Sequence, residues 1–360
     1  MGKIGILTTS HAINYGAVLQ AFSLKKAIEE NTSKEVEIIN YCGDEWIAGR
    51  KIYRKNTNLK NFLINIISLF KINYRSNRKV LINQFDAFKR DYLDIHGEII
   101  RSSEELKKLQ GFDAFVCGSD QVWNMNLSDD SSFFLTFAAQ NTDKIAYAVS
   151  ISERLTRKQM EIIAERIRNF KAISIREQDD AQRLSKVMGR TIESMIDPVF
   201  LHDADEWKTL LSLQSDNFSK YVFVFLISHQ EQDRKFVEKI KKNRKVKILN
   251  LHPSDYIKGD ETINCCTPNE FVELILNADA IVTDSFHCTA FSIIFNKTFY
   301  NIKRPTRNNR IENLYRKFGM ESRFVNVDDI PSKEIIYTKI NIALSNEAKK
   351  GKKYIRESMG

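Results

Sequence analysis

The sequence predicts an α/β protein made of two doubly wound, Rossmann-like domains. Short apolar runs rich in β-branched residues alternate with segments whose apolar residues recur at helical spacing, which is typical of parallel α/β structure. At 360 residues the chain is too long for one ordinary domain and suits two. The alternation breaks at Asp197–Pro198 and starts again at Tyr221. We therefore expect two α/β domains that face a cleft, because ligands of such folds bind beyond the carboxyl ends of the strands.

The first series begins with a predicted strand at Lys3–Thr8, a polar loop, and a helix from Tyr15 to about Glu30. Two later helices are predicted, one capped by Thr156 and one at Glu177–Val187. The remaining strands of this series are predicted at Val36–Ile39, Ala114–Cys117, Ile145–Val149, Ile173–Ile175 and Ser194–Ile196. We assign residues 1–205 to this N-terminal domain.

The second series begins with the apolar strand Tyr221–Ile227. It continues with a helix from Gln230, a strand at Val246–Leu249, a helix at Thr267–Asn277, and strands at 281–283 and Phe299–Ile302. We assign residues 206–331 to this C-terminal domain. Residues 332–360 are expected to form a final helix that braces the first domain.

Composition narrows the class of protein. The formal net charge of +9 favours an anionic partner: nucleic acid, acidic lipid headgroups or a phosphorylated small molecule. The five cysteines are odd in number and lack a metal-ligand spacing, which is typical of reduced thiols. No signal peptide precedes the first strand, and no apolar run reaches the roughly 18 residues of a membrane span. These features predict a cytoplasmic, soluble protein without a metal site.

Residues 49–92 differ from the rest of the chain because Lys and Arg dominate them. An apolar segment, Phe62–Phe70, lies among these cations, and Asp86 is nearly the only acid. Such a stretch suits peripheral contact with an anionic membrane surface. It also suits a solvated insertion whose apolar face packs on its own domain. Composition leaves both interpretations open.

Polar side chains gather at the predicted carboxyl ends of strands in both series. His287 follows one such strand, in the first turn of a helix for which Asp284 and Ser285 are N-cap residue types. Because helix N-termini favour anions and His moves protons near neutral pH, His287 is the main candidate for both roles; the alternative is a buried structural His. The other candidates are Asn14, Tyr15, Ser119, Asp120, Gln121, Arg176, Ser285, Lys303, Arg307, Asn309 and Arg310. The cations among them suit a small polyanionic substrate, although each alone could form a surface ion pair.

Five segments resemble the polysaccharide pyruvyl transferase family. They are NYGAVLQAFSL at 14–24, FDAFVCGSDQVWN at 112–124, SIREQDDAQ at 174–182, DPVFL at 197–201 and TDSFHCTAFSIIFNKTF at 283–299. RNNRIENLYRKFGM at 307–320 is consistent with the family too. The matches occur in the expected order and span nearly the whole chain apart from the basic insertion. The combination of GSDQVWN with DSFHCTAFS is the most specific part.

The resemblance implies a GT-B-like fold and transfer of pyruvate from phosphoenolpyruvate onto a sugar as a cyclic ketal, with release of phosphate. It also implies a lipid-linked precursor of a capsule or exopolysaccharide as acceptor, and peripheral placement at the inner face of the membrane. Many members have Arg-Leu-His where this chain has Ser285–Phe286–His287. Another cation must therefore act beside the His, or the donor differs.

The chemistry of that reaction assigns roles to the candidates. Ketal formation needs an acid, a base and stabilisation of the departing phosphate. We expect His287 to transfer the proton or contact phosphate, and Asp120 to act as the base for an acceptor hydroxyl or only to cap its loop. The cations expected at the donor's anion site are Arg176, Lys303, Arg307 and Arg310. No cofactor or metal is required by this scheme.

Two other functions stay open from the sequence. A GT-B-type glycosyltransferase that uses a nucleotide sugar would share the fold, and a selective response to a nucleoside diphosphate would favour it. A non-catalytic anion- or nucleic-acid-binding protein would explain the basic charge. The cations, however, cluster in the insertion and one loop without the interleaved aromatics of a single-strand platform, so we expect no nucleic-acid partner.

Overall fold

The structure is a computed structural model that describes residues 2–43, 72–126, 129–151, 155–216, 220–228, 230–251, 257, 259–304, 308–325 and 334–360. Of residues 72–75 it describes the backbone alone. The chain forms two compact units. The first comprises Met1–Lys51, Ala87–His202 and Leu344–Gly360, and the second comprises Ile52–Asp86 and Asp203–Ala343.

The first unit contains a six-stranded parallel sheet. Its strands are β1 (Lys3–Leu7), β2 (Glu35–Ile38), β3 (Ala114–Cys117), β4 (Asp143–Val149), β5 (Ala172–Ile175) and β6 (Glu193–Ser194). Their spatial order is β2-β1-β3-β4-β5-β6. Strand β3 is buried along its length, as its continuous apolar sequence AFVC predicts for a strand covered on both faces. The order reverses between β1 and β3, so the switch point of this sheet lies at their carboxyl ends.

Three helices of the first unit, α1, α3 and α4 of those given below, begin at residues whose side chains accept a hydrogen bond from the first turn. Helix α1 (Tyr15–Asn31) starts where the Asn14 side chain accepts a hydrogen bond from the backbone N–H of Gly16 at 3.0 Å. Phe22 on α1 meets Phe88 of helix α2 (Ile72–Tyr92) edge-on at 6.1 Å. The later helices are α3 (Ser103–Leu106), α4 (Arg157–Arg166) and α5 (Gln178–Met188).

The second unit contains another six-stranded parallel sheet. Its strands are β7 (Tyr221–Phe225), β8 (Lys247–Leu251), β9 (Glu261–Ile263), β10 (Ala280–Thr283), β11 (Thr298–Ile302) and β12 (Phe324–Val325). Their order is β12-β11-β10-β7-β8-β9. The chain reverses direction across the sheet between β7 and β10, which makes the carboxyl ends of these two strands the switch point.

The helices of the second unit are α6 (Ala204–Leu211), α7 (Glu231–Arg244), α8 (Pro268–Asn277), α9 (Phe286–Ile294) and α10 (Asn309–Phe318). The last helix, α11 (Tyr337–Met359), ends within the first unit. There the hydroxyl of Tyr354 donates to the carbonyl of Ala146 in β4 at 3.0 Å. The predicted fold class, two doubly wound parallel α/β domains, is confirmed.

Strands β9 and β12 and helices α2, α3, α6 and α10 are missing from the prediction. The two strands lie at sheet edges and are only two or three residues long, so they carry little apolar pattern. Helix α10 has its buried residues Ile311, Leu314, Tyr315 and Phe318 at helical spacing, a signal the sequence does contain. Asn309 and Arg310, expected in a basic loop, instead begin this helix. Most of the basic insertion, including Phe62–Phe70, lies outside the described residues.

Candidate functional site

Two clusters of polar side chains lie at the carboxyl ends of parallel strands, one in each unit. The first, called here the Arg176 cluster, consists of Ser119, Asp120, Arg176, Glu177 and Asp197. The second, the His287 cluster, consists of Asp284, Ser285, His287, Arg304 and Arg310.

Arg176 follows β5, and its guanidinium forms ion pairs with two buried carboxylates. Nη1 contacts Oδ2 of Asp197, and Nε donates to Oε1 of Glu177 at 3.3 Å. Ser150 Oγ donates to the same Glu177 oxygen at 2.6 Å. The backbone N–H of Val199 donates to Oδ1 of Asp197 at 3.1 Å. The arginine is therefore held between carboxylates that are themselves hydrogen-bonded.

The charge of this cluster bears on what it can bind. Burial acts to lower the pKa of the Arg176 guanidinium, but the charges of Asp197, Glu177 and Asp120 outweigh it and the pKa is raised. The guanidinium thus stays charged, and one cation faces three carboxylates. The expected contact of Arg176 with the donor's anion stays a prediction.

Ser119 and Asp120 follow β3, and they accept hydrogen bonds from the residues that follow β1 at the switch point of the first sheet. Thr8 Oγ1 donates to the carbonyl of Ser119 at 3.1 Å, and Thr9 Oγ1 donates to Oδ2 of Asp120 at 2.8 Å. Asp120 has φ 76°, a left-handed conformation that is uncommon outside glycine and that clusters at functional sites. Its side chain is half-buried, which suits either of its expected roles, base or loop cap.

A β-bulge near the end of β4 shapes the same edge of the sheet. The register of β4 against β5 shifts there, and Ala148 lies at φ 45°. The carbonyl of Ala148 accepts from Ser119 Oγ at 2.9 Å, while its N–H donates to Ser174 Oγ at 2.9 Å. Bulges re-aim groups beside active sites. Here the bulge aims a carbonyl at Ser119, whose hydroxyl also lies 3.4 Å from Oδ2 of Asp197.

Asn14, Tyr15 and Gln121 have local contacts in the first unit. Asn14 is the N-cap of α1, and Tyr15 is its buried first residue. Gln121 Oε1 accepts from Nδ2 of Asn124 at 3.4 Å. Their expected contacts with a substrate stay predictions.

A buried histidine in the β1–α1 loop is a group that the sequence pattern does not identify. Nδ2 of Asn40 donates to the backbone carbonyls of residues 96–98, so its Oδ1 faces His11 Nε2, at 2.7 Å. Nε2 of His11 therefore carries the proton, and Nδ1 accepts from the buried ammonium of Lys89 at 3.3 Å. These residues are far apart in the chain, which is why no motif reveals them.

In the second unit, Asp284 joins the carboxyl ends of β7 and β10. Its Oδ1 accepts from the N–H of Ile227 at 2.7 Å, and its Oδ2 accepts from the N–H of Ser228 at 2.8 Å. Arg304 contacts both carboxylate oxygens, with Nε 3.1 Å from Oδ2 and Nη2 3.3 Å from Oδ1. Only the contact from Nη2 has hydrogen-bond geometry, and Nε completes the ion pair by proximity. The pair anchors the loops at the switch point of the second sheet.

Helix α9 begins directly after this anchor. Ser285 is its N-cap, and its Oγ accepts from the N–H of Cys288 at 3.5 Å. His287 lies in the first turn and is 6% exposed; its ring meets the ring of Phe286 edge-on at 5.1 Å. Burial raises the pKa of the Cys288 thiol to about 12, so this cysteine is unsuited to act as a nucleophile.

The expected basic cluster after β11 divides into residues with different surroundings. Lys303 is exposed, and its ammonium pairs with Glu312 at 3.2 Å. Arg307 lies outside the described residues. Asn309 is exposed at the first position of α10. Their expected contacts with a substrate stay predictions.

Arg310 lies beside the first turn of α9. It is the second residue of α10, and its guanidinium carbon is 5.6 Å from the centroid of the Phe286 ring. Among the predicted site residues, the second unit therefore brings together Ser285, His287 and Arg310. The first unit brings together Ser119, Asp120 and Arg176.

No group of three or more His, Cys, Asp or Glu side chains in the described part of the chain is arranged to hold a metal ion. No described helix is long and apolar enough to cross a membrane.

The sequence matches the model of one known protein family. The family model named polysaccharide pyruvyl transferase matches residues 14–304, a range that includes the Arg176 cluster and most of the His287 cluster. Among curated proteins, none matches this sequence significantly.

Solved structures with similar architecture include UDP-N-acetylglucosamine 2-epimerases. A putative enzyme of this kind from Listeria monocytogenes has 10% identity and a TM-score of 0.53 over 99% of this chain and 91% of that one. The UDP-GlcNAc 2-epimerase of Methanocaldococcus jannaschii has 13% identity and a TM-score of 0.50 over 99% of both chains. S. aureus MnaA, solved with UDP, has 12% identity and a TM-score of 0.51 over 99% and 91%. The likeness confirms a GT-B-like fold, and at these identities it concerns the fold alone.

Proposed function

The chain belongs to the polysaccharide pyruvyl transferase family, and from this premise we propose that it transfers the pyruvate group of phosphoenolpyruvate onto a sugar as a cyclic ketal. Membership makes the protein a transferase of polysaccharide biosynthesis. The identity of the donor, the ketal product and the lipid-linked acceptor are the proposal. The observation that carries it is the meeting of Arg310 with the first turn of α9, where His287 lies.

The surroundings of Arg310 support an anionic donor. The first N–H groups of a helix have no partner within the helix, and the N-terminus carries a partial positive charge. Arg310 lies in the first turn of α10, and its guanidinium reaches the ring of Phe286, the first residue of α9. A cation in the first turn of α10 opposes the dipole of that helix. An anion bound there would offset this cost, and phosphoenolpyruvate offers both a phosphate and a carboxylate.

The Arg176 cluster supports contact with a neutral acceptor instead. Its carboxylates outnumber its cation, and carboxylate oxygens accept hydrogen bonds from hydroxyl groups. Asp120 is half-buried in this cluster, and we assign it as the base for the first acceptor hydroxyl. Arg176 then orders the carboxylates, and its expected contact with the donor is a separate proposal that binding measurements can test.

The proposed reaction proceeds in two additions to one carbon. His287 gives a proton to the methylene carbon of phosphoenolpyruvate, and the first acceptor oxygen bonds to the adjacent carbon as Asp120 takes its proton. The second acceptor oxygen then bonds to that carbon while phosphate leaves with the bridging oxygen. Of the two hydroxyl protons, one replaces the proton that His287 gave and the other leaves with phosphate. Positioned proton transfer of this kind typically contributes about 10²- to 10⁴-fold in rate, and the scheme calls for no cofactor.

The acceptor is proposed to be a lipid-linked oligosaccharide of a capsule or exopolysaccharide pathway. Such an acceptor would place the enzyme in the cytoplasm, peripherally at the inner face of the membrane. The excess of positive charge, +9 over the whole chain, supports contact with anionic lipids.

Acceptor-dependent release of phosphate tests the proposal. Purified protein is incubated with phosphoenolpyruvate and a panel of sugar acceptors, and phosphate is measured together with the mass of the acceptor. We expect phosphate release only with a suitable acceptor, whose mass increases by one pyruvate less one water. A parallel panel with nucleotide sugars tests the glycosyltransferase alternative. Glycosyl transfer in that panel, with no reaction of phosphoenolpyruvate, would contradict the proposal.

A further inference from the structure

We propose that Asn301 and Thr289 are positioning residues, which fix the first turn of α9 so that His287 can transfer its proton. The inference rests on the proposed function and concerns how its acid is held in place. Its basis is a chain of two hydrogen bonds from β11 to the N-cap of α9. Nδ2 of Asn301 donates to Oγ1 of Thr289 at 2.7 Å, and Oγ1 of Thr289 donates to the carbonyl of Ser285 at 2.8 Å.

The directions of these two bonds follow from the protons that each group carries. A threonine hydroxyl has one proton, and that of Thr289 goes to the carbonyl of Ser285. The hydroxyl oxygen is then an acceptor, and the amide nitrogen of Asn301 is the donor that it faces. The side chain of Asn301 therefore sets the orientation of the hydroxyl that contacts the N-cap.

The N-cap is also held through its backbone N–H. The N–H of Ser285 donates to Oγ1 of Thr283 at 3.0 Å, and that hydroxyl donates to the carbonyl of Phe225 in β7 at 2.7 Å. Thr283 and Asn301 are paired in the register of β10 with β11. Two neighbouring strands thus fix both backbone groups of the N-cap, and His287 follows it by two residues in the same turn.

Stability alone does not explain a polar pair at this place. The side chains of Asn301 and Thr289 are both 0% exposed. Oδ1 of Asn301 has no hydrogen-bond partner among the residues that the structure describes. A buried amide oxygen without a partner costs free energy, and an apolar pair of the same shape is often as stable as a hydrogen-bonded one. What the polar pair adds is a defined orientation, which apolar contacts do not give.

The test compares stability with turnover in a double variant, Thr289→Val with Asn301→Leu, which is called here the apolar pair. It replaces both hydrogen-bonding groups and keeps their volume, so the melting temperature should stay close to that of wild type. The kcat with phosphoenolpyruvate and a sugar acceptor should fall about tenfold to a hundredfold, because misplacing a reacting group by about 1 Å has an effect of that size. The donor KM should not change, since proton transfer occurs only in the transition state.

Two single variants are the controls. Thr289→Ser keeps the hydroxyl and should keep most of the wild-type kcat. Ser292→Ala removes a bond of the same kind in the next turn of α9, where Oγ of Ser292 donates to the carbonyl of Cys288 at 2.8 Å. Ser292 is as buried as Thr289, so its loss should affect stability and leave kcat unchanged.

A double-mutant cycle separates positioning from general damage. In a His287→Ala background, the apolar pair should cause no further loss of kcat, because the group that it positions is gone. Two results would overturn the inference: a kcat of the apolar pair equal to that of wild type, or a loss that adds fully to that of His287→Ala. If the apolar pair fails to fold, Thr289→Val alone supplies the variant without the hydroxyl, and the same outcomes apply to it.

Failure of the proposed function looks different, because wild-type protein would then not turn over phosphoenolpyruvate with any acceptor. In that case the NMR signals of the His287 ring, assigned with His287→Ala, test the positioning role alone. They should shift in the apolar pair while the signals of the exposed His96 ring stay in place. Unchanged His287 signals would overturn the inference.

Discussion

At the residue scale, three arginines near the strand ends have different partners. Arg176 lies between the carboxylates of Asp197 and Glu177. Arg304 forms an ion pair with Asp284, and the guanidinium of Arg310 contacts the ring of Phe286. The sequence predicts Arg176 and Arg310 as site residues because each follows a strand. It cannot predict their partners. In the sequence, Asp197 is only the residue before the proline at which the α/β alternation breaks, and nothing there indicates a contact with Arg176. Contacts between residues far apart in the chain therefore decide the surroundings of each arginine.

His287 carries the central chemical role in the proposed reaction. Replacing it with alanine should lower kcat by about 10²- to 10⁴-fold, because a general acid is lost. The protein should stay folded with a lower melting temperature, because the ring is 6% exposed and its removal leaves a cavity. His96→Ala is the matched control, because that ring is exposed and its Nε2 lies 2.9 Å from Oδ1 of Asp94. Retention of more than about a third of the wild-type rate in His287→Ala would refute the assignment.

Asp180, in the first turn of α5, makes stability depend on pH. Burial, with a further contribution from the charge of Glu177, raises the pKa of Asp180 to about 6, above the value of about 3.9 in an unfolded chain. Protonated Asp180 therefore contributes stability below about pH 4 that is lost as the pH rises towards 6. Asp180→Asn should raise the free energy of unfolding at pH 7 by up to about 3 kcal/mol and match wild type near pH 4.

Thermal and urea unfolding between pH 4 and pH 7 measure this difference. The gap between Asp180→Asn and wild type should open as the pH rises. A variant that is less stable than wild type at pH 7 would show that the pairing of Asp180 with Arg183 outweighs the cost of burial.

At the scale of elements, the order and type of the main strands follow from the sequence. Buried parallel strands need continuous apolar runs, and β3 and β10 read as AFVC and AIVT. The short edge strands β9 and β12 contain no continuous apolar run, and for this reason the sequence does not predict them. The bulge at Ala148 also leaves no signal, because its φ of 45° is imposed by hydrogen bonds to Ser119 and Ser174.

The switch point of the second sheet depends on one carboxylate. Asp284→Asn weakens the ion pair with Arg304 and the bonds from the loop after β7, so we expect a loss of about 3 kcal/mol in the free energy of unfolding. Asp279→Asn is the control, because its pair with Arg244 is half-exposed and such pairs contribute at most about 1 kcal/mol. Urea unfolding measures both. Equal, small losses would show that Asp284 is not the anchor.

At the scale of the whole molecule, each unit has its polar cluster at the switch point of its own sheet. The pattern of two α/β series predicts this placement, because such sheets bind ligands where the strand order reverses. What the pattern cannot predict is the balance of charge. The Arg176 cluster has more carboxylates than cations, whereas the first turn of α9 adjoins a cation on an aromatic ring.

The basic insertion at 49–92 gives the molecule a further predicted property. Its cations should bind anionic vesicles in a salt-sensitive way, since each contributes on the order of 1 kcal/mol near such a surface. Lys71→Glu combined with Arg75→Glu should weaken flotation with the vesicles, while activity on a soluble acceptor analogue persists. If the protein does not float with anionic vesicles at low salt, the membrane proposal is wrong. The alternative prediction, an insertion whose Phe62, Ile66 and Phe70 pack inward, is then favoured.

The central claim is that phosphoenolpyruvate gives up its pyruvate carbon skeleton rather than its phosphoryl group. Phosphoenolpyruvate labelled with heavy oxygen at the bridging position distinguishes the two, because ketal formation breaks the bond between carbon and that oxygen. With a reactive sugar acceptor present, we expect the label in the released phosphate and one pyruvate ketal in the product. Label retained in free pyruvate, or phosphate released at the same rate without an acceptor, would contradict the proposed function.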